Sequence, residues 1–179
     1  MSLDLYIGPM FSGKSTALIN IIKRNKFIGI PTFCITSSFD TRWNEVVAIR
    51  SHTGETSEAH STKELMPLKL HPEYKSANVI VIEEAQFFPD LKAFVLSAVE
   101  TDGKQVICAG LDGDSERRPF GQILDLIPYC NFVSKLNSIC NHCKYPAIFT
   151  FRVSASPDQV MVGGADKYEA LCRKHYLLS

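Results

Sequence analysis

Short apolar runs alternate with helical patterns through most of the chain. Runs of strand length occur at residues 3–7, 31–37, 78–82, 104–111 and 132–136. Apolar residues at helical spacing predict helices over 15–28 and 89–99, with a short helix over 62–70 and a turn or helix over 123–127. Strands that alternate with helices predict an α/β fold, in which a parallel sheet with right-handed crossovers is flanked by helices.

Two segments do not follow this alternation. The polar segment 38–61 has little periodicity, and we expect it to be loop and irregular structure. Composition shifts near residue 137, after which residues 150–153 and 159–162 resemble the strands of a small hairpin. The sequence therefore predicts a main domain at 1–137 and a small C-terminal domain at 138–179.

Composition narrows the class of protein. Net charge is zero and the pI is about 6.9, which argues against a protein that grips nucleic acid mainly by neutralising phosphates. Long apolar runs of membrane-spanning length are missing from the sequence, and the first strand begins within three residues of Met1. We expect a cytoplasmic protein with neither membrane nor nucleic acid as a partner.

The loop after the first predicted strand carries the clearest chemical signal. Its sequence GPMFSGKS matches the phosphate-binding pattern G-x-x-x-x-G-K-[ST]. Its glycines let backbone N–H groups approach phosphate oxygens, Lys14 supplies a positive charge, and the Ser15 hydroxyl can hold Mg²⁺. This loop predicts a nucleoside triphosphate site at the start of the first helix.

Acidic residues follow the buried strand at 78–82. Glu83 and Glu84 come directly after it, and in a nucleotide site one carboxylate serves Mg²⁺ while a second orients or deprotonates the nucleophile. Asp40 and Arg42 follow the end of the preceding strand, where parallel sheets bind ligands, although a solvated loop with a surface ion pair explains them equally well.

Cysteine spacing predicts a structural zinc site near the C-terminus. Cys140 and Cys143 form a C-x-x-C pair, and Cys172 and His175 form a C-x-x-H pair, which together supply four ligands for tetrahedral Zn²⁺. A redox C-x-x-C is the alternative, but that motif usually follows the first strand of a βαβ unit. The remaining Cys34 and Cys108 lie in apolar runs, where small buried hydrophobic residues are expected.

Taken together, the motifs resemble those of the type II thymidine kinase family. The motifs, in the family's order, are GPMFSGKS, DTR, EEAQFFPD, LDG, RRPFG, the C-x-x-C pair and GGADKYEALCRKH. The resemblance implies a phosphate-loop parallel-sheet domain with a zinc ribbon, assembled as a homotetramer. It also implies transfer of the γ-phosphate of ATP to the 5′-hydroxyl of thymidine, with Mg²⁺ accompanying ATP and thymidine triphosphate as feedback inhibitor.

The resemblance also assigns roles to individual residues. It implies Glu84 as the general base, with Lys14 and Arg42 as the other catalytic residues. Expected contacts to ATP and Mg²⁺ come from Gly8, Pro9, Met10, Phe11, Ser12, Gly13, Lys14, Ser15, Asp40, Thr41, Arg42, Glu83 and Gln86. Expected contacts to thymidine come from Met10, Phe87, Leu111, Ser115, Phe120, Gln159, Val160, Met161, Val162, Gly163 and Tyr168.

Three positions depart from the family's pattern. Glu83 stands where the family usually has a metal-linked Asp, so its longer side chain favours contact with Mg²⁺ through water. Ser115 stands where many members have an aromatic residue, which removes one wall of the pocket and favours tolerance for larger nucleosides. His175 replaces a cysteine but still ligates zinc.

A second function remains open from the residues alone. Zinc ribbons often contact nucleic acid, and EEAQ after a buried strand resembles the acidic box of helicases. A P-loop ATPase with a nucleic-acid-binding ribbon is therefore the alternative. The length and the balanced charge of the chain count against it.

Overall fold

A six-stranded parallel sheet forms the centre of the molecule. The computed structural model describes residues 1–39, 48–51, 54–153, 163–164 and 166–179. Its strands are β1 (Ser2–Ile7), β2 (Thr32–Ser37), β3 (Ala48–Arg50), β4 (Thr56–Glu58), β5 (His60–Thr62), β6 (Val79–Ile82), β7 (Gln105–Gly110), β8 (Phe132–Lys135), β9 (Ser138–Ile139), β10 (Pro146–Ala147), β11 (Phe149–Arg152) and β12 (Tyr168–Leu171). The central sheet has the order β5-β2-β6-β7-β1-β8, with every neighbouring pair parallel.

Helices cover the two faces of this sheet. They are α1 (Lys14–Phe27), α2 (Pro72–Ser76), α3 (Leu91–Leu96) and α4 (Arg173–Leu178), with short 3-10 helices at Met66–Leu70, Ala85–Phe87 and Ile123–Tyr129 and a π-helical turn at Ser97–Thr101. Leu18 and Ile19 of α1 belong to one apolar cluster, whereas Leu91 and Phe94 of α3 belong to another. All four positions of β6 are buried, as expected of a parallel strand covered on both sides. The predicted α/β class is therefore confirmed.

The polar segment at 38–61 contains more regular structure than predicted. In its described part, β3 and β4 form an antiparallel hairpin, and β5 joins the central sheet as an edge strand beside β2. The expectation of irregular structure was wrong there because strands of three residues are set by their pairing partners rather than by a local apolar pattern.

Helix boundaries also differ from the predicted ones. The helix expected over 62–70 begins at Met66, with Pro67 in its first turn. The Asp90 carboxylate accepts hydrogen bonds from the backbone N–H groups of Leu65 and Met66 at 2.9 and 2.7 Å. The Asp90 side chain therefore caps the helix that begins at Met66, although Asp90 itself directly precedes α3.

In its described residues, the C-terminal region contains two small antiparallel ladders, β9 with β10 and β11 with β12, followed by α4. The predicted strand at 150–153 is present as β11, but its partner is β12, whereas residues 159–162 lie outside the described residues. The boundary predicted between residues 137 and 138 stays a prediction. None of the helices in the described ranges is long and apolar enough to cross a bilayer.

Gly121 offers a test of how tightly the fold packs beside the acidic residues. Its φ is +61°, and a Cβ at this position would lie 2.1 Å from the Gln86 carbonyl oxygen. We expect Gly121→Ala to lower the free energy of unfolding by about 1–2 kcal/mol for the left-handed backbone and by roughly 1–3 kcal/mol more for the clash. Urea denaturation measures the loss.

Gly103→Ala is the matched control. Its φ is +67°, but nothing lies within 4 Å of the added Cβ, so only the backbone cost is expected. Equal losses for the two variants would contradict the close approach of Gly121 to Gln86.

Candidate nucleotide and metal sites

The phosphate-binding loop joins β1 to α1, as predicted. Gly8 has a φ of +148°, and a Cβ there would lie 2.3 Å from the carbonyl oxygen of Leu136, so the loop packs directly against the chain beyond β8. Gly13 precedes the helix in a left-handed conformation, which leaves the helix N-terminus open toward an anion. Of the residues predicted to contact ATP, Gly8 to Gly13 form this loop, and Lys14 and Ser15 begin α1.

Lys14 bends back over this loop. Its ammonium group donates hydrogen bonds to the carbonyl oxygens of Gly8 and Pro9 at 3.1 and 2.6 Å, and lies 3.4 Å from the Ser12 hydroxyl. These contacts hold a positive charge above the turn. Its position is suited to the phosphate oxygens that such a loop binds.

The two glutamates lie at the carboxyl end of β6, on the same edge of the sheet. The Glu83 side chain is buried, with a residue exposure of 7%, and its backbone N–H donates to Ile35 of β2 at 2.9 Å. Burial, and secondly the charge of Glu83, raises the pKa of the Cys34 thiol to about 12. Cys34 and the fully buried Cys108 therefore remain protonated and inert near neutral pH, in agreement with the expectation for both.

Glu84 adopts an unusual backbone conformation. Its φ and ψ are 53° and 41°, in the left-handed region, which costs a residue with a side chain about 1–2 kcal/mol. Such strain is concentrated at functional positions, where the surrounding structure enforces it. Glu84 is half-buried whereas Glu83 is buried, so the two need not share one task.

Gln86 joins the acidic residues to the end of β7. Its amide nitrogen donates to the Glu84 carboxylate at 2.6 Å, and its amide oxygen accepts from the Leu111 N–H at 3.0 Å. Both polar atoms of this buried side chain are thus satisfied. The prediction placed Gln86 among the ATP contacts but did not foresee this bridge, since nothing local in EEAQ indicates a bond to a residue 25 positions away.

The predicted nucleoside contacts fall into two groups. Phe87 and Phe120 pack edge to face, with ring centroids 5.5 Å apart, and the centroid of the Phe39 ring lies 6.2 Å from that of Phe87. Tyr168 instead lines a cavity of about 500 Å³ shared with the phosphate loop. The other residues lining it are Phe11, Ser12, Gly13, Asn137, Ser138, Ile139 and Asn141.

The remaining predicted contacts have other neighbours or lie outside the described residues. Leu111 follows β7, and Gly163 lies against Lys167. The Met10 N–H donates a hydrogen bond to the Thr150 hydroxyl at 3.0 Å. The Ser115 carbonyl accepts one from the Tyr176 hydroxyl at 2.6 Å. The predicted residues outside the described ranges are Asp40, Thr41, Arg42, Gln159, Val160, Met161 and Val162.

The four predicted metal ligands come together. One donor atom from each of Cys140, Cys143, Cys172 and His175 lies within 4.8 Å of the others, and the Cys143 and Cys172 sulfurs are 3.7 Å apart. A tetrahedron with Zn–S bonds of about 2.3 Å places its sulfurs about 3.8 Å apart. The spacing and the donor set therefore fit a four-coordinate metal ion such as zinc.

Backbone hydrogen bonds favour the metal-binding form of one of these ligands, Cys140. Burial opposes ionisation of Cys140, but the backbone N–H groups of Cys172, Cys143 and His142 outweigh it and lower the pKa of the thiol to about 5. This favours the thiolate that a metal requires. His142 stacks on the His175 ring with centroids 5.0 Å apart, and its Nε2 lies 3.4 Å from the Glu169 carboxylate. His142 is therefore beside the four ligands without being one of them.

Comparison with known proteins gives one consistent result. The family described as thymidine kinase matches residues 1–176. The chain is 41% identical to thymidine kinase a of Arabidopsis thaliana over 179 residues, covering 98% of this chain and 75% of that protein. It is 39% identical to thymidine kinase of variola virus (98% and 96% covered) and 37% identical to the cytosolic thymidine kinase of Homo sapiens (97% and 72% covered).

Proposed function

We infer that this chain, which belongs to the thymidine kinase family and phosphorylates thymidine, takes the γ-phosphate from ATP and delivers it to the 5′-hydroxyl. The observation that carries this proposal is the placement of the phosphate loop and Glu84 on one edge of the parallel sheet, with only β7 between their strands. Phosphoryl transfer depends mainly on positioning and on neutralising charge. Both are available at this edge.

On the phosphate side, the backbone of residues 8–13 and the Lys14 ammonium would bind the β- and γ-phosphates. The donor set of the Ser15 hydroxyl and the Glu83 carboxylate suits Mg²⁺, with Glu83 acting through water, and the ion would neutralise phosphate charge when bound. Arg42 adds a second cation in the proposal, and Asp40 and Thr41 complete the ATP contacts. These three positions rest on the family resemblance alone.

On the nucleoside side, Glu84 is the proposed general base, which accepts the proton from the 5′-hydroxyl as the phosphoryl group arrives. The Gln86 amide holds the Glu84 carboxylate at 2.6 Å and thereby limits its rotation. The proposed thymidine contacts are Met10, Phe87, Leu111, Ser115, Phe120, Tyr168 and the segment 159–163. The Phe87–Phe120 pair, packed edge to face, supports an apolar pocket for the base.

We further propose a main domain at 1–137 and a metal-binding domain at 138–179, in which zinc has a structural role because all four ligands come from the protein. Homotetramer formation, feedback inhibition by thymidine triphosphate and a cytoplasmic location are proposals drawn from the family resemblance. Relatives from Gallus gallus and Homo sapiens carry the word cytosolic in their names, which supports the location.

A coupled assay for ADP release tests the donor and the acceptor together. With ATP present, thymidine should stimulate ADP release, because the acceptor hydroxyl completes the reaction. Single-stranded DNA and RNA should not. Stimulation by nucleic acid without any response to thymidine would instead support the ATPase alternative.

Glu84→Gln tests the general base. Glutamine keeps the shape and can still accept the Gln86 hydrogen bond, but it cannot take a proton, so kcat should fall by roughly 10²-fold or more while ATP affinity is largely retained. Steady-state kinetics and equilibrium ATP binding measure the two quantities. Glu100→Gln, at an exposed position in the π-helical turn before β7, is the control, and normal kcat in Glu84→Gln would remove the assignment.

A matched pair of histidine variants tests the metal site. Elemental analysis of the purified protein should find about one zinc per chain. His175→Ala should lose most of the metal because the substitution removes a ligand. His142→Ala removes only the ring that stacks on His175 and should keep the metal. Zinc-free wild-type protein, or equal loss in the two variants, would contradict the proposed ligand set.

A further inference from the structure

The C-terminal ladders and α4 reach back to both loops that surround the proposed reaction site. We propose that Ser138 and Tyr176 are positioning residues, Ser138 for the phosphate loop and Tyr176 for the loop at 112–119 that precedes Phe120. The proposal rests on the function inferred above. In this proposal, the metal-binding region positions the loop for each substrate through a separate contact.

On the phosphate side, two hydrogen bonds and one side chain make the connection. The Ser138 hydroxyl, on a residue 7% exposed, donates to the Phe11 carbonyl at 3.1 Å, and Met10 bonds Thr150 in parallel. The Phe11 side chain packs against the apolar cluster that contains Cys140, Ala147 and Leu171. The middle of the phosphate loop is thus attached to the region that carries the metal ligands.

The backbone of Phe11 shows why this attachment matters. Its φ is +63°, a left-handed conformation that is unfavourable for a residue with a Cβ and persists where surrounding contacts enforce it. The bond from Ser138 and the packing of the ring supply such contacts. Weakening them would let the loop relax away from the conformation that directs its N–H groups at phosphate.

On the nucleoside side, Tyr176 makes the connection. Its hydroxyl donates to the Ser115 carbonyl at 2.6 Å, and its ring contacts the Arg117 guanidinium at 4.6 Å and the Phe149 ring at 4.9 Å. Arg117, itself at a φ of +66°, is thereby held against two aromatic rings.

The loop that Tyr176 holds is internally closed. The Asp114 carboxylate, almost fully buried, accepts from the backbone N–H groups of Glu116 and Arg118, both at 2.9 Å. A bridge pairs Gly113 with Pro119. Because the loop is tied to itself, a bond at Ser115 positions the whole loop, and Phe120 follows directly behind it.

Both attachments begin next to metal ligands in sequence. Ser138 lies two residues before Cys140, and Tyr176 follows His175. Fixing the four ligands therefore fixes the two anchor residues. If this region only stabilised the fold, a substitution in it would change the affinity for both substrates alike. Separate anchor residues predict that each substitution changes the affinity for one substrate.

Ser138→Ala and Tyr176→Phe each remove one hydroxyl and test this separation. We expect Ser138→Ala to raise the dissociation constant and KM for ATP by about 3- to 10-fold, as the loss of one buried hydrogen bond predicts, with the thymidine constants changed less than 2-fold. Tyr176→Phe should show the reverse. Ser138→Thr, which keeps a hydroxyl, should restore ATP affinity.

Controls match the chemistry of each change. Ser76→Ala removes another serine hydroxyl that donates to a backbone carbonyl, and Tyr145→Phe removes a hydroxyl from a tyrosine that is 73% exposed beside Cys143. Neither should alter either substrate constant. Zinc content, measured on every protein, should stay at the wild-type value.

The possible results separate the two inferences. Equal effects on both substrates, no effect on either, or loss of zinc from Ser138→Ala or Tyr176→Phe would overturn the positioning roles. Wild-type protein that bound neither ATP nor thymidine would overturn the proposed function instead.

Discussion

The parallel arrangement of the central sheet is the constraint on which the proposed site depends. Since all six strands run the same way, the loops after β1, β2, β6 and β7 leave from one edge. Neighbouring strands lie about 4.8 Å apart, so the ends of β1 and β6 are separated by roughly 10 Å across β7. Residues that are some seventy positions apart in sequence thereby face a common space. A triphosphate end and an acceptor hydroxyl can meet there.

The carboxyl end of β7 lies between the ends of β6 and β1, where it packs closely against Gln86. Position 110 has no room for a side chain, because a Cβ on Gly110 would lie 2.5 Å from the Gln86 amide oxygen. That amide needs both of its polar atoms: a carboxylate at position 86 would repel Glu84 and could not donate to it. An amide accepts from Leu111 and donates to Glu84 at the same time. The strained backbone of Glu84 is therefore supported from the neighbouring strand.

Local patterns accounted for part of this structure and failed for the rest. The phosphate loop, the metal ligands and the buried strands were predictable because their signals lie within a few adjacent residues. The strands β3 to β5 were missed because their pairing involves distant segments, and the choice of β12 as partner for β11 depended on long-range register. The left-handed conformation of Glu84 and the bond from Tyr176 to Ser115, 61 residues apart, have no local signature. The assignment of Arg42 and of residues 159–162 continues to rest on resemblance.

The small apolar cluster of the C-terminal region explains why a metal ion would stabilise it. Among the described residues, its fully buried members are Cys140, Ala147, Ala170 and Leu171, and its first ladder pairs two residues on each side. So small a cluster offsets little of the conformational entropy lost on ordering these residues. Ligation of a metal ion at the proposed site would supply the missing free energy, and Phe11 adds a side chain from the phosphate loop to the same cluster. The coupling proposed above would then be reciprocal: contacts that help hold the phosphate loop in place would also help hold the metal-binding region together, so ligand binding at either site would stabilise the other.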